Sequence, residues 1–386
     1  MIKKRVSNIE VKKINRNRIF RYVNNRERTS KPEVAAALGI SMPTVLQNVN
    51  ELMEQGLVQE VGELESTGGR KAAAIAPVRN AYHALGIDIT QNHLGFVLTD
   101  LSGTVLKHAR VQKPFADDRG YYKDMGEAAL EFLEREGGLG KGFLGVGISV
   151  PGIVDNTANQ IVRSHALGIA GVDCSRFSEF LMLPSVFIND ANAAAIAEIY
   201  HAETRFNAAY LFLGNSVGGA IIQERKGYLG DETANDRLYL GDNWRGGEFG
   251  HMTLVPGGNR CYCGKEGCLD AYCSAKNLSR HTDGKLERFF EEMEKGNKGF
   301  EKLWEEYLSH LAVEVNNLRM VFDCRVIIGG YVGSLIEPYL GRLQEKAAAL
   351  NTFEADGSYI QACRYRVEAS ALGAALQQVE AFVSTV

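Results

Sequence analysis

Three cysteines crowd into eight residues, Cys261, Cys263 and Cys268 in the segment CYCGKEGC, and His251 stands ten residues before the first of them. Thiolate sulfurs and an imidazole nitrogen are the donors that tetrahedral Zn2+ takes, and close cysteine spacing lets one short loop supply most of the ligands. Gly264 and Gly267 free the backbone for so tight a path. A polar loop is a poor place for buried free thiols, so His251, Cys261, Cys263 and Cys268 have the makings of a tetrahedral Cys3His zinc site. Cys174 and Cys273 read as ordinary small residues. A second group with chemical potential is Asn189-Asp190, in PSVFINDANAAAIAEIY. This segment reads as a buried strand running into an Ala-rich helix, so Asp190 sits where a carboxylate can be held against a ligand or can cap the helix.

Positioning such groups calls for a body of two lobes. HALGIDITQNHLGFVLTDLSGTVLKHARV reads as a strand, a turn over 88–92, a strand, a turn at Ser102-Gly103 and a third strand. AAYLFLGNSVGGAIIQERKGYLG repeats the strand, a Gly-rich turn, a strand and a turn at Lys226-Gly227. Between them GFLGVGISVPGIVD reads as a buried strand ending in a Pro-Gly turn. Duplicated meanders with intervening helices predict two α/β lobes around a cleft, and clefts of this kind hold ligands.

The head of the chain is of another character. Residues 1–80 carry six Lys and eight Arg against eight Glu and no Asp, a net of +6, whereas the remainder carries −10. A basic head on an acidic body fits a nucleic-acid module joined to a small-molecule domain. INRNRIFRY predicts a helix, KPEVAAAL a second with Thr29 or Ser30 as its cap and Pro32 in its first turn, and MPTVLQNVNELMEQG a third after Gly39. Val45, Leu46, Val49, Leu52 and Met53 are the expected core stripe of that third helix. Ser41, Thr44, Gln47, Asn48 and Glu51 lie off it, and the first four are types that read base edges or hold phosphates. Two short helices around a Gly-containing turn predict a helix-turn-helix. LVQEVGELESTGGRKAAAIAP predicts a β-hairpin wing whose tip lays Arg70 into a minor groove.

Taken in order, ISVPGIVD, NDANAAAIAE, GGEFGHM and CYCGKEGCLDAY strongly resemble the ROK family of repressors, open reading frames and kinases. The resemblance covers nearly the whole chain, since INRNRIF, TSKPEVAAALGIS and STGGRKA resemble the DNA-binding regions of the family's repressors. It implies an α/β protein with an N-terminal winged helix-turn-helix, then a two-lobed actin/hexokinase-like body of duplicated ribonuclease H-like lobes with a zinc knuckle. The expected division is a head over 1–80, a first lobe over 81–195 with 370–386, and a second lobe over 196–369 carrying the zinc loop and the dimerisation surface. The resemblance also implies structural zinc on His251, Cys261, Cys263 and Cys268. It further implies a monosaccharide or amino sugar in the cleft, contacted by Asn189, Asp190, Glu248, His251 and Asp270, with Gly152 admitting the ligand close to the backbone. The family usually has Glu where this chain has Asp270, one methylene shorter.

In the family's kinases the Asp190 position is the general base, and two glycine-rich turns hold ATP. Here the first turn reads Asp88-Ile89-Thr90-Gln91-Asn92 where the kinases have Asp-Ile-Gly-Gly-Thr. The second reads Gly214-Asn215-Ser216-Val217-Gly218-Gly219 where they have Gly-Thr-Gly-Ile-Gly-Gly. Side chains thus stand where phosphate oxygens would sit, so no ATP and no catalysis are expected, and Asp190 is a vestigial base. The sequence therefore predicts a sugar-responsive repressor of carbohydrate genes that binds double-stranded operator DNA as a homodimer or tetramer. A sugar kinase with a DNA-binding head is the alternative, and an activator would use the same parts. Without an apolar span or signal peptide, the chain is expected in the cytoplasm and away from membranes.

Overall fold

The computed structural model describes residues 8–64, 72–138, 140–201, 206–224 and 235–386. In the head, α1 (Asn8–Asn24) buries Ile19, Phe20 and Val23. After the short strand β1 (Thr29–Ser30), α2 (Lys31–Leu38) opens on a capping box. The Ser30 hydroxyl accepts from the Glu33 amide at 3.4 Å and the Glu33 carboxylate accepts from the Ser30 amide at 3.1 Å, which satisfies two orphan donors. Gly39 ends the helix at φ +63, a conformation open to glycine, and this makes the turn into α3 (Met42–Glu54). Strands β2 (Val58–Glu63) and β3 (Ala73–Pro77) pair antiparallel, and β1 joins them in the order β1-β3-β2. The expected wing tip, Ser66 to Arg70 in the sequence reading, falls outside the described residues.

The body begins with the expected meander, β4 (His83–Ile89), β5 (His93–Asp100) and β6 (Val105–Gln112). Helix α4 (Arg119–Arg135) crosses to β7 (Phe143–Val150). A small sheet of β8 (Ile153–Asp155), β9 (Gln160–Ser164) and β10 (Ile169–Asp173) follows, then α5 (Ser175–Ser178), β11 (Ser185–Asn189) and α6 (Asp190–Tyr200). The main sheet has the order β11-β7-β4-β5-β6, with β4, β7 and β11 parallel.

The second sheet starts from β12 (Ala208–Leu213) and β13 (Val217–Ile222). The turn expected at Lys226-Gly227 lies outside the described residues. After it come α7 (Asp270–Cys273), α8 (Ala275–Ser279), α9 (Leu286–Glu294), α10 (Lys298–Phe322), β14 (Arg325–Gly329), α11 (Gly330–Gly333), α12 (Leu340–Ala348) and β15 (Ile360–Ala362). The order is β13-β12-β14-β15, with β12, β14 and β15 parallel.

The last helix, α13 (Ala369–Val383), returns to the first sheet and packs on β4, β7 and α6. Small residues make that approach possible. A Cβ at Gly86 would fall 1.7 Å from the Ala371 carbonyl oxygen, and one at Gly373 would fall 1.7 Å from that of Ala193. The alanines of NDANAAAIAE and ALGAAL are thus facing surfaces of two helices, α13 lying on the first sheet and α6 reaching to β12 and β13 of the second. The far end of α13 meets the head. Arg21 of α1 makes a bidentate pair with the nearly buried Glu380 at 2.8 and 2.9 Å. Arg16 and Asn17 donate to the carbonyls of Val386 and Val383, and Asn24 donates to Leu101 O at 2.7 Å. Tyr82 and Phe382 rings meet at a tilt of 35° with centroids 4.3 Å apart. Among the described residues, no helix is long and apolar enough to cross a membrane.

Candidate functional site

The knuckle builds itself from short backbone bonds. Cys261 N donates to Lys265 O at 2.7 Å, Gly264 N to Cys261 O at 3.0 Å and Gly267 N to Asn259 O at 2.8 Å. Gly264 and Gly267 hold φ +92 and +80, and a Cβ at Gly267 would strike the Val255 carbonyl oxygen at 1.9 Å. The fold brings the ligand atoms of His251, Cys261, Cys263 and Cys268 within 4.8 Å of one another. Cys263 Sγ and Cys268 Sγ are 3.8 Å apart, and Cys261 Sγ lies 3.9 Å from His251 Nδ1. A regular tetrahedron with Zn–S bonds of about 2.3 Å has edges of roughly 3.8 Å, so the quartet fits zinc in donor type and in spacing.

His251 was expected both as a metal ligand and as a sugar contact, and its two nitrogens divide along those lines. Nδ1 faces the cysteines, while Nε2 lies 3.5 Å from the Tyr262 hydroxyl and the ring lines the cleft. Two residues that the sequence reading missed complete this wall. The ring of His165 lies 5.9 Å from that of His251 and 5.8 Å from that of Tyr262. Tyr262 was findable, because it sits between two cysteine ligands. His165 carries no local signal, since only the approach of the two lobes brings it there.

Asn189 closes β11 and caps α6, its Oδ1 accepting from Asn192 N at 3.0 Å. Its Nδ2 donates to Gly152 O at 3.0 Å and to Asp190 Oδ1 at 3.1 Å. Asp190 Oδ1 also accepts from Ala191 N at 2.9 Å, so capping and presentation to the cleft coexist. Burial raises its carboxyl to about 8, with the neighbouring charges of Asp88 and Glu248 adding to the rise. Burial likewise lifts Asp88 to about 6 against the opposing hydrogen bond from Ser149. Glu248 is exposed at the cleft mouth, yet the walls desolvate its carboxyl enough to raise it. Asp270 is 5% exposed, accepts from Val217 N at 2.6 Å and is raised by burial to about 6.

These groups line two adjoining cavities that share Asp190. One of about 60 Å³ holds Gly152, Asn189, Glu248 and His251. The other, about 280 Å³, holds Asp88 and Asp270. Gly152 lines the smaller cavity and is also fixed by packing: a Cβ there would strike Arg163 O at 2.6 Å and Ser164 Cβ at 2.8 Å, so its approach to β9 by itself demands glycine.

The far end of the larger cavity is crossed by side chains. Lys276 Nζ donates to Gln91 Oε1 at 2.8 Å, and Arg110 Nη2 donates to the Tyr331 hydroxyl at 2.9 Å with its guanidinium 4.9 Å from the ring centroid. Both contacts run from the first sheet's lobe to the second's.

On the head, Ser41 and Gln47 are exposed and Thr44 is half-buried, with the Ser41 and Thr44 hydroxyls 2.8 Å apart. Asn48, expected to face DNA, is instead 1% exposed and donates to Thr44 O at 2.7 Å. Leu46, expected in the core, is 46% exposed. Helical geometry explains the exchange: Val45, Asn48, Val49 and Leu52 form the i, i+3, i+4, i+7 face, and Leu46 is turned about 100° from Val45, beyond its edge. The opposite face carries Pro43, Leu46, Gln47 and Asn50, all exposed, so Asn50 is a further candidate that the same period could have found.

The family model of the ROK family matches residues 84–379, and that of a winged helix-turn-helix DNA-binding module matches 13–59. The chain belongs to the ROK family. Its sequence is 30% identical over 274 residues to the xylose repressor of Bacillus spizizenii, covering 69% of this chain and 67% of that protein. In fold it matches a ROK family transcriptional regulator, a homologue of the Escherichia coli MLC protein, with a TM-score of 0.73 at 17% identity, over 97% of both chains. A ROK family glucokinase from Streptomyces griseus, solved with glucose and AMPPNP, matches with a TM-score of 0.63 at 23% identity, over 76% of this chain and 98% of that one. The ROK body of this chain therefore has the fold of both regulators and kinases, and its head places it with the regulators.

Proposed function

We propose that this ROK protein is a sugar-responsive repressor of carbohydrate genes, in which a monosaccharide or amino sugar in the interlobe cleft changes the affinity of the head for operator DNA. The observation that carries the reading is the crossing of the nucleotide end of the cleft. Gln91 stands where the family's kinases have a glycine, and its side chain is tied to Lys276 of the other lobe. Arg110 and Tyr331 make a second such contact between the lobes. The other end keeps Asn189, Asp190, Glu248, His251 and Asp270, a set of acceptors and donors suited to hydroxyls. Asp190 favours the second reading, a kinase, because a buried carboxyl raised to about 8 is a competent base.

Zinc on His251, Cys261, Cys263 and Cys268 would serve as a structural cross-link that holds His251 at the cleft. Ser41, Thr44, Gln47 and Arg70 are the proposed DNA contacts, on a head over 1–80. The body then divides into 81–195 with 370–386 and 196–369, the latter supplying the dimer or tetramer contacts that paired half-sites require. Coupling between sugar and DNA of about 1–3 kcal/mol is typical of such linkage.

Fluorescence anisotropy on DNA from upstream of the gene, with and without glucose, xylose and N-acetylglucosamine, tests the reading. Specific binding that one sugar shifts 5- to 150-fold, the range that such coupling gives, is the expected result. ADP release that depends on a sugar and vanishes in Asp190→Asn would overturn it in favour of the kinase.

A further inference from the structure

Beyond Asn189 the cleft continues into a third cavity of about 150 Å³, against about 60 Å³ for the one that holds Glu248 and His251. Asn189 lines both, so the two adjoin. The new cavity lies between the β11–α6 junction and the segment from Leu238 to Trp244, and its lining is of two kinds. Leu238, Leu240 and Trp244 make an apolar wall, while Asn156, Asn192 and Gln377 supply carboxamides. No charged side chain lines it among the described residues. The amide side chains of Asn156 and Asn192 make no hydrogen bond with any described residue, which leaves their donors and acceptors for an occupant.

Trp244 is held there by its backbone. It stands at φ +59, where a bulky residue is rarely found, and such outliers persist where the surroundings fix them and cluster at ligand clamps. The surroundings are an arch closed by Gly246 N donating to Leu240 O at 2.9 Å. Gly246 is pressed so close that a Cβ would lie 2.2 Å from Tyr239 O, and Gly241 turns the other end at φ +73.

The lining selects the occupant by chemistry. A phosphate or nucleotide would meet no cation, and an acyl chain would give the Asn156 and Asn192 carboxamides no partner. A pyranose suits both walls: each hydroxyl donates and accepts, as carboxamides do, and its C–H face can lie on an indole ring. We propose that this cavity is a second carbohydrate subsite, which binds the neighbouring residue of a neutral disaccharide whose first residue sits at Asn189 and Asp190. The proposal rests on the sugar-cleft reading above and deepens it by naming the ligand class.

The chain has two tryptophans, and Trp304 is 2% exposed in the core, so a saccharide-induced change in tryptophan fluorescence reports on Trp244. The full chain is titrated with xylose, glucose and N-acetylglucosamine, then with xylobiose, cellobiose and diacetylchitobiose, and affinities are confirmed by calorimetry. One disaccharide is expected to bind at least 10-fold more tightly than its own monosaccharide and to shift the emission. Trp244→Ala should erase that advantage while leaving monosaccharide affinity unchanged, which also shows that the variant is folded, and Trp244→Phe should restore part of it. Monosaccharide binding with no disaccharide advantage overturns the second subsite and spares the sugar cleft. An advantage that survives Trp244→Ala overturns its placement here. A chain that binds none of the six sugars overturns the sugar-cleft reading and this one with it.

Discussion

The two ends of the interlobe cleft are lined by side chains in different states. At the Asn189–Asp190 end, carboxyl and carboxamide groups remain turned into open space, at the cost of raised carboxyl protonation. At the opposite end, Gln91 and Arg110 spend their hydrogen bonds on Lys276 and Tyr331 of the other lobe. The contrast is between half-buried groups held in place by hydrogen bonds to their own strand and helix and exposed side chains that bridge the two lobes.

Loss of a zinc ligand should have the largest effect, because it acts on the wall of the open end. Cys268→Ser should lower zinc affinity on the order of 100-fold or more. Metal analysis of protein purified without chelator should fall from one zinc per chain to none. A wild-type chain without zinc would remove the cross-link from the account. Asp190→Ala comes next, at about 2–3 kcal/mol of effector binding by calorimetry, with sugar-free DNA binding preserved. An unchanged sugar affinity would mean that the open end is not the binding end.

A third variant lies behind the cleft, on α10. Glu314 is fully buried, both of its oxygens lack a described partner, and burial raises it from 4.5 to about 7. The folded state thus holds a proton that the unfolded state releases, so stability is full below about pH 4.5 and declines as pH rises towards 7. Glu314→Gln should stabilise by about 1–2 kcal/mol at pH 8 in thermal melts and by almost nothing at pH 4, the amide itself remaining unpaired. Equal melting shifts at both pH values would show that folding does not raise this carboxyl. The smallest effect is expected from Gln91→Gly, which removes one contact worth at most about 1 kcal/mol and should change sugar affinity only a few-fold. Should that single change let a fluorescent ATP analogue bind, the crossed end would be a closed nucleotide site rather than a lost one.

Much of this was legible in the residues, to different depths. The zinc quartet is written in its spacing, because a short loop must supply its ligands from neighbouring positions, and the capping box of α2 is equally local. The head's fold was readable, but the facing of α3 was misassigned by one position of phase, which sent Asn48 outward and Leu46 inward. Gly152 was recognisable as a glycine that something approaches, though not what approaches it. His165, Lys276 and Tyr331 could not be read at all. Each owes its place in the cleft to contacts between two lobes that are distant in sequence, as Arg110–Tyr331 is at 221 residues.

The joint between α1 and α13 sets a timetable. Arg21 and Glu380 are 359 residues apart, and at about 5–20 residues per second a ribosome needs roughly 20–70 seconds to travel between them. For most of that interval the head has been made, while the seat against which it is oriented has not. A nascent copy therefore has a head without a fixed bearing, and the posture that a sugar could adjust comes into being only with the final helix.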